Sequence, residues 1–163
     1  MGKRRFWPKR RKGFNSTMYV VPIRDGAIIP KYQTKEAAGF DLHACLPCDS
    51  WAILPGEERE IPCGIVVAIE PGYELQIRSR SGLRFKWKIK AYHGTIDSDF
   101  RGELTVLLEN HRKVFSFTVK NGMRIAQGVI APVLQANIVP LASVDELPPS
   151  ERGANGFGST GLD

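Results

Sequence analysis

The chain has 163 residues, of which 42% are hydrophobic and 25% are charged, the balance of a single globular domain with its own core. No apolar run approaches the roughly 20 residues of a membrane-spanning helix, so we expect no membrane span. The formal net charge is +6, but seven of the 23 Lys and Arg residues precede Gly13, and the remainder carries 16 basic against 17 acidic residues. The body of the protein is therefore nearly neutral, and the excess positive charge belongs to its N-terminal segment.

Residues 1–14 are predicted to form a basic, flexible arm. The arm lacks the apolar core of a secretory signal, and Phe6 stands where a myristoylation signal requires Ser or Thr. Three interpretations are open: a solvated tail, a nuclear-import segment, or a weak contact with a polyanion such as nucleic acid, for which Trp7 supplies one stacking ring.

The three cysteines Cys45, Cys48 and Cys63 are an odd number in a chain without a recognisable secretory signal. This combination predicts free thiols in a reducing, intracellular compartment, with the nucleus as an option if the arm is an import signal. Cys45 and Cys48 form a CxxC pair, but no second pair completes a zinc site.

From Met18 onward, short runs rich in β-branched and aromatic residues alternate with Gly, Pro and Asn/Asp turns at intervals of about 8–12 residues. This spacing predicts an all-β sandwich, barrel or jelly roll, with a short helical turn after Ser81 as the only helix expected. The predicted strands are 18–23, 38–44, 63–69, 73–79, 87–92, 103–109, 114–119 and 124–134.

The stretch 94–102 (GTIDSDFRG) lies between two predicted strands and is bracketed by glycines. A hairpin here projects Asp97 and Phe100 toward a ligand. Asp97 is either a general base that accepts the proton of an attacking water, or an Asx-turn residue with no role beyond the turn.

The stretch 80–83 (RSGL) follows an alternating strand and opens the helical turn. Here a guanidinium, a hydroxyl and free backbone N–H groups can converge on phosphate oxygens. The competing interpretation is an ordinary helix N-cap at Ser81 beside a solvated Arg80.

The composition changes near residue 143 to Pro, Glu and finally the Gly-rich run 152–161 (RGANGFGSTG). Such a run is either a flexible linker or a flap whose glycines permit close approach to a ligand. We predict three parts: the arm 1–14, a β-barrel domain 15–142 and a C-terminal arm 143–163.

Five segments follow one another along the chain: 38–42 (AGFDL), 80–83, 94–102, 122–127 (GMRIAQ) and 152–161. Together, and from about Tyr19 to Gly161, they closely resemble the motifs of the trimeric deoxyuridine triphosphatase (dUTPase) family, in that family's order. The resemblance implies a jelly-roll-like β-barrel that assembles as a homotrimer. Each site is then built by all three chains, with the third motif from a neighbour and the fifth closing over it as a C-terminal flap.

The reaction implied by this resemblance is Mg²⁺-dependent hydrolysis of dUTP to dUMP and pyrophosphate by attack of water on the α-phosphorus. This reaction limits uracil incorporation into DNA and supplies dUMP for dTMP synthesis. Asp97 matches the carboxylate that activates the water, and Asp41 matches an outer-shell ligand that holds Mg²⁺ through water.

The same resemblance implies the substrate contacts. Arg80, Ser81 and Gln127 match residues that bind the phosphate chain, whereas Phe100 packs under the deoxyribose and Phe157 stacks on uracil. The full set of implied substrate-binding positions is Arg80, Ser81, Gly82, Gly94, Thr95, Ile96, Phe100, Gln127, Arg152, Phe157, Gly158, Ser159 and Thr160.

Four positions depart from the family pattern. Phe100 stands where Tyr is usual, Ala91 where many members have Asn, and Ser79 where Pro is common. Gly128 replaces a bulky apolar residue and is expected to loosen its strand.

Two rival functions are a scaffold or signalling protein on a fold that has lost catalysis, and a dCTP deaminase. Retention of Asp97, Arg80, Gln127 and Arg152 argues against the first. The deaminase needs a further acid/base group beside the pyrimidine, which the 94–102 stretch does not supply.

Overall fold

The structure is a computed structural model that describes residues 16–155. Its regular elements are ten β-strands, one π-helical turn and one 3₁₀ turn. The strands are β1 (Met18–Pro22), β2 (Phe40–His43), β3 (Ser50–Ile53), β4 (Glu58–Ile69), β5 (Tyr73–Arg78), β6 (Ile89–Ala91), β7 (Gly94–Ile96), β8 (Glu103–Asn110), β9 (Phe117–Lys120) and β10 (Arg124–Pro132); the helical turns are Gly82–Lys86 and Val144–Glu146. The all-β prediction and the short helical turn after Ser81 are confirmed.

The strands form two four-stranded sheets and one two-stranded ribbon, and all the strand pairs are antiparallel. The first sheet has the order β1-β4-β8-β6, the second has the order β2-β10-β5-β7, and β3 pairs with β9. Because β7 is the last strand of the second sheet, one of its edges is not paired within that sheet.

The core follows from side-chain alternation along the strands. On β8, Leu104, Val106 and Leu108 are at most 1% exposed, whereas the residues between them are half-buried. The strand ends at the buried Asn110, whose Nδ2 donates to the carbonyls of Ile53 at 2.9 Å and Phe115 at 3.0 Å. This polar side chain therefore ties the first sheet to the β3-β9 ribbon.

Strand β4 is longer than predicted because its first half contains residues that usually interrupt a strand. It begins at Glu58 and passes through Pro62 and Gly64, where the pairing with β8 shifts register at a β-bulge. Gly64 adopts a φ of 68°, a left-handed conformation that glycine tolerates best. Pro62 stays paired with Thr105 and the bulge after it accommodates Gly64, so neither residue ends the strand.

Other differences from prediction involve short strands. β3 and β7 have only four and three residues and were not predicted as strands. The predicted strand 87–92 is reduced to β6 because Lys88 adopts a φ of 55°, and the predicted strand 114–119 begins only at Phe117.

Gly128 lies in an uninterrupted part of β10, and its expected loosening of the strand remains a prediction. It pairs with Phe40 on one side and Ile77 on the other, in a continuous part of both ladders. A Cβ at this position would lie 2.5 Å from the ring of Phe40 and 2.8 Å from the side chain of Leu75. These two side chains occupy the space that a larger residue would need.

After β10, the described chain contains only the 3₁₀ turn and carries many exposed apolar side chains. Leu134 is 98% exposed, Ile138 89% and Val144 80%. No helix within residues 16–155 is long and apolar enough to cross a membrane. The predicted boundary between domain and arm near residue 143 remains a prediction.

Candidate active site

Two predicted polar positions, Asp41 and Gln127, form a row across the second sheet together with Arg78. In the strand ladders, Gln127 of β10 lies opposite Asp41 of β2 on one side and opposite Arg78 of β5 on the other. Directly opposed residues of antiparallel strands project to the same face. The first and fourth motifs are thereby brought together at the end of β5, where the second motif begins.

Asp41 is an acceptor for two arginines. Its Oδ1 lies 3.0 Å from Nε of Arg80 and its Oδ2 lies 3.4 Å from a guanidinium nitrogen of Arg124. Arg80 also donates to the backbone carbonyl of Arg124 at 3.2 Å. The carboxylate side chain is only 10% exposed, so this largely buried anion fixes the direction of both guanidinium groups.

Arg124 was not among the predicted site residues. In a regular strand, Arg124 and Gln127 would point to opposite faces because they are an odd number of residues apart. A bulge between Arg124 and Ala126 shifts the register, and the adjacent residues Ile125 and Ala126 are both buried. The bulge turns Arg124 toward Asp41. In the sequence, the one sign of this bulge is the pair of consecutive apolar residues, Ile125 and Ala126, between polar neighbours.

The second motif is fixed to its neighbours by Ser79 and Gln127. Ser79 Oγ donates to the carbonyl of Ala91 at 2.7 Å and accepts from its N–H at 2.9 Å, while Gln127 Nε2 donates to the carbonyl of Ser79 at 3.3 Å. Two positions that depart from the family pattern, 79 and 91, are therefore hydrogen-bonded to each other. Ser81 follows as an exposed residue whose side chain makes no capping hydrogen bond, so the N-cap interpretation is not supported.

A cleft of about 470 Å³ adjoins this cluster. Ser81 and Gln127 line it together with Arg78, Arg84, Lys90 and His93. Several cationic or hydrogen-bonding side chains thus face one space, which is the chemistry that a polyphosphate requires. Arg84, Lys90 and His93 were not predicted, because their approach to this cleft depends on the turn 82–88.

Asp97 lies elsewhere, at the turn that follows β7. Its backbone carbonyl accepts from the N–H of Phe100 at 3.1 Å and closes a turn. Within residues 16–155 the Asp97 carboxylate makes no hydrogen bond or ion pair, which disfavours the Asx-turn interpretation. The carboxylate is exposed and lines a cleft of about 550 Å³ with Tyr73 and Glu74.

Phe100 is 41% exposed and packs on the backbone of Gly102. A Cβ on Gly102 would lie 2.5 Å from the Phe100 ring, so a larger residue here would displace the ring from its observed position. Gly94, Thr95 and Ile96 form β7 itself, opposite Ile77, Gln76 and Leu75.

The two groups of predicted residues lie at opposite ends of β5. Ile96 pairs with Leu75 near the start of β5, whereas Arg80 and Ser81 follow its end at Arg78. At about 3.3 Å per residue, the Asp97 turn and the Arg80 cluster are separated by roughly 20 Å. One chain therefore does not bring Asp97 onto a phosphate held by its own Arg80.

Arg152 donates through Nε to the carbonyl of Asn155 at 2.9 Å, a contact local to the C-terminal segment. The predicted contacts Phe157, Gly158, Ser159 and Thr160 lie outside the described residues, as does the arm 1–14. The assignments of all these residues remain predictions.

The described side chains near Asp41 do not form a complete coordination shell for Mg²⁺. No group of three or more His, Cys, Asp or Glu side chains in the described part of the chain is arranged to hold a metal ion, and Asp41 is engaged by arginines. Mg²⁺ commonly takes one carboxylate, several waters and substrate phosphates. Asp41 fits the single outer-shell contact of that arrangement and does not fit an all-protein cage.

His43 lies beside the arginine cluster on β2. Burial lowers the pKa of His43; the nearby Asp41 opposes this effect, and the charges of Arg124 and Arg80 add to it. Its Nδ1 is buried and has no hydrogen-bond partner among residues 16–155. A neutral imidazole at this position adds no further positive charge to the cluster.

These features define an all-β protein that carries a cluster of arginines with one amide, Gln127, at one end of a sheet and an exposed carboxylate, Asp97, at the other. A family model for dUTPase matches residues 25–161. The chain belongs to the dUTPase family, and the resemblance seen in its five motifs is confirmed.

Curated relatives cover nearly the whole domain. The chain is 56% identical over 144 residues to the deoxyuridine 5'-triphosphate nucleotidohydrolase of Nautilia profundicola, covering 87% of this chain and 96% of the relative. It is 46% identical over 141 residues to the protein of the same name from Rhizobium etli, covering 85% and 88%. The expectation that the chain is a hydrolase of the dUTP diphosphatase class is confirmed.

Solved structures agree on the fold. The dUTPase of Staphylococcus bacteriophage 80alpha with dUpNHpp superposes with a TM-score of 0.78 at 26% identity, covering 90% of this chain and 99% of the other. The dUTPase of phage phi11 of S. aureus, described with a structural Mg(II) ion, superposes with a TM-score of 0.71 at 21% identity, covering 79% and 99%. The jelly-roll-like β fold is confirmed.

Proposed function

We propose that this chain hydrolyses dUTP to dUMP and pyrophosphate, with Asp97 activating the attacking water, in sites that combine residues of neighbouring chains in a homotrimer. The observation that carries the proposal is the separation of an unengaged carboxylate, Asp97, from a phosphate-binding cluster at Arg80, Ser81 and Gln127. The physiological consequence is removal of dUTP, which limits uracil incorporation into DNA and supplies dUMP for dTMP synthesis.

The phosphate end of the site rests on Arg80. Its guanidinium is held by Asp41 through Nε at 3.0 Å and by the Arg124 carbonyl at 3.2 Å, so it is oriented before substrate binds. Ser81 adds a hydroxyl and Gln127 an amide on the same cleft. These groups neutralise and position the phosphate chain.

Asp97 carries the chemical step. The carboxylate accepts a proton from water as the water oxygen forms a bond to the α-phosphorus. The bond between the α-phosphorus and the α,β-bridging oxygen breaks, and pyrophosphate leaves with that oxygen. The absence of any hydrogen bond to the Asp97 side chain within residues 16–155 is consistent with this role, because its lone pairs are available for water.

Nucleoside selection rests on β7 and Phe100. The unpaired edge of β7 offers backbone donors and acceptors of Gly94, Thr95 and Ile96 to the uracil ring. Phe100 offers an apolar face to the deoxyribose, where a ribose 2'-hydroxyl would lose its hydrogen bonds to water without gaining a partner. Both β7 and Phe100 adjoin Asp97, so the uracil, the deoxyribose and the attacking water are all contacted by residues of the same chain.

Mg²⁺ fits this site as an ion carried by the substrate phosphates, where it would neutralise charge on the departing pyrophosphate. Asp41 would hold one of its waters. Asp41 already orients Arg80 and Arg124, so a change at this residue affects phosphate binding as well.

The homotrimer is supported by two features of the single chain. The separation of roughly 20 Å between Asp97 and Arg80 favours a productive site that uses residues of two chains. The exposed apolar residues of the segment after β10, such as Leu134 and Ile138, supply a surface that a neighbouring chain can cover. The Gly-rich run 152–161 of the C-terminal arm, with Arg152, Phe157, Gly158, Ser159 and Thr160, then closes over the site as the predicted flap.

The test is release of pyrophosphate by the purified chain with Mg²⁺ and each nucleoside triphosphate in turn. We expect turnover of dUTP and rejection of UTP, dCTP and dTTP. Asp97→Asn should lower kcat by about 10²- to 10⁴-fold, the usual contribution of a general base. Asp99→Asn, two residues along the same turn, is the matched control and should remain active; equal loss in both variants would contradict the role of Asp97.

A further inference from the structure

Six basic residues are concentrated at one end of the first sheet, although the described part of the chain has no net charge. Residues 16–155 contain sixteen Lys and Arg and sixteen Asp and Glu. Six of those cations fall within 84–90 and 112–113, which contain no acidic residue. This basic loop surface consists of Arg84, Lys86, Lys88, Lys90, Arg112 and Lys113.

The fold joins the two stretches into one surface. Ile89 pairs with Asn110 between β6 and β8, and the N–H of His111 donates to the carbonyl of Lys88 at 2.9 Å. Arg112 Nε donates to the carbonyl of Trp87 at 2.9 Å. The cations of both stretches therefore lie side by side.

Most of these cations have no carboxylate partner. Among residues 16–155, no carboxylate oxygen lies within 4.0 Å of the side-chain nitrogens of Arg84, Lys86, Lys88 or Lys113. Lys90 faces Glu109 only at 3.9 Å, and Arg112 lies over the ring of Trp87 at 5.1 Å from its centroid. Unpaired like charges in one place create a positive potential that attracts anions.

Aromatic rings alternate with the cations. Phe85 is 72% exposed, and Trp87 is 48% exposed although its ring centroid lies 6.4 Å from that of Phe117 and Arg112 covers one of its faces. Phe85 borders a cleft of about 390 Å³ that Arg84, Lys88, Lys90 and His111 also line. An exposed ring beside several cations can stack a base while the cations contact the flanking phosphates.

We propose that the basic loop surface binds single-stranded nucleic acid, with Phe85 stacking on a base and the cations, including Lys86 and Lys113, neutralising phosphates. A simple polyanion would use the charges but not the rings. Duplex DNA fits less well, because the π-helical turn of five residues is too short to serve as a reading helix in the major groove. The surface was not evident in the sequence because the positive charge of 84–113 is balanced by acids elsewhere.

The test measures fluorescence anisotropy of a labelled oligo(dT) of about 20 nucleotides, longer than the roughly 4–16 that one small domain covers, with the full chain over a salt series. The double variant Lys86→Gln/Lys113→Gln should make the slope of log binding constant against log salt concentration less steep by about 1.4, because each single-strand phosphate contact contributes about 0.7 to its magnitude. Lys35→Gln/Lys120→Gln removes the same charge from exposed positions elsewhere and should leave the slope unchanged. Neither pair belongs to the proposed catalytic site, so dUTP hydrolysis serves as the control for folding.

Phe85→Ala should weaken oligo(dT) binding by on the order of 5- to 100-fold, and Phe85→Tyr should retain it, because loss of one stacked ring has an effect of this size. Three outcomes would overturn the proposal. The first is equal effects of the two lysine pairs. The second is full binding by Phe85→Ala with weakened binding by the lysine variant, which indicates a general polyanion site. The third is that the Lys86/Lys113 variant and Phe85→Ala bind oligo(dT) as the wild type does but no longer bind phosphatidylserine vesicles. That result would indicate a membrane-binding surface.

Discussion

At the scale of single residues, Lys88 is held in a conformation that its side chain disfavours. It is the one residue other than glycine with a positive φ in the described range, at 55°. We expect Lys88→Gly to raise the free energy of unfolding by about 0.5–1 kcal/mol. The left-handed conformation costs an L-residue roughly 1–2 kcal/mol, and the greater conformational entropy of glycine in the unfolded chain offsets part of the gain from removing that cost. Urea denaturation at a fixed protein concentration measures the change. Lys86→Gly, in the π-helical turn, should instead lower stability by about 1 kcal/mol, and a loss in both variants would show that Lys88 is unstrained.

Gly64 is the second position at which one residue's conformation decides the local structure. A Cβ there would lie 2.6 Å from Sγ and 2.8 Å from Cβ of Cys45, at a φ of 68°. Gly64→Ala should therefore destabilise the protein by about 3 kcal/mol, through overpacking and backbone strain together. Gly72→Ala, at a φ of 89° with no atom within 4 Å, isolates the strain and should cost about 1 kcal/mol. Similar losses measured by urea denaturation would exclude the packing contribution.

Among the elements, β4, β8 and β6 are linked by a charged cluster on one face of the first sheet. Tyr92 Oη contacts carboxylate oxygens of both Glu58 and Glu109, and His111 Nε2 lies 2.9 Å from Oε2 of Glu109. The hydrogen bond from Tyr92, with smaller contributions from His111 and Lys90, lowers the pKa of Glu109 below its ordinary 4.5. The same hydrogen bonds raise the pKa of Tyr92.

This cluster predicts a pH dependence of stability. Because Glu109 has a lower pKa in the folded state than in the unfolded state, its contribution is complete above pH 4.5 and is lost as the pH falls through the folded-state pKa. Tyr92→Phe removes the largest cause of the shift and should flatten the loss of stability on acidification. Thermal unfolding across the acidic range measures it. Tyr32→Phe, at a ring that meets Phe40 edge-on, should keep the wild-type profile, and an unaltered profile in Tyr92→Phe would contradict the assignment.

For the whole molecule, the separation of Asp97 from Arg80 makes a prediction about mixed oligomers. Asp97→Asn and Arg80→Ala should each be inactive alone. Co-refolded in equal amounts, they should recover about one quarter of wild-type activity, because random mixing places an intact Asp97 beside a neighbour's intact Arg80 in about one site in four. Pyrophosphate release after co-refolding measures this recovery. No recovery, with a trimer confirmed by sedimentation, would mean that each site is built within one chain.

Much of this fold follows from local patterns in the sequence. The alternation of Leu104, Val106 and Leu108 identifies β8 and its buried face, because side chains of a strand point alternately to the two sides. The glycines of 94–102 place a turn around Asp97 for a similarly local reason. Such local patterns fail to predict a strand that contains residues which usually interrupt strands, as β4 does at Pro62 and Gly64.

The sequence by itself determined the all-β class, the family and the residues that carry the proposed chemistry, because strand periodicity and motif order are properties of the chain alone. Only the tertiary structure decided that Arg124 turns toward Asp41 at a bulge, and that cations of two distant stretches form one basic surface. It also placed Asp97 and Arg80 at opposite ends of β5. These outcomes depend on strand register and on which loops become neighbours, and both are settled by packing over the whole molecule.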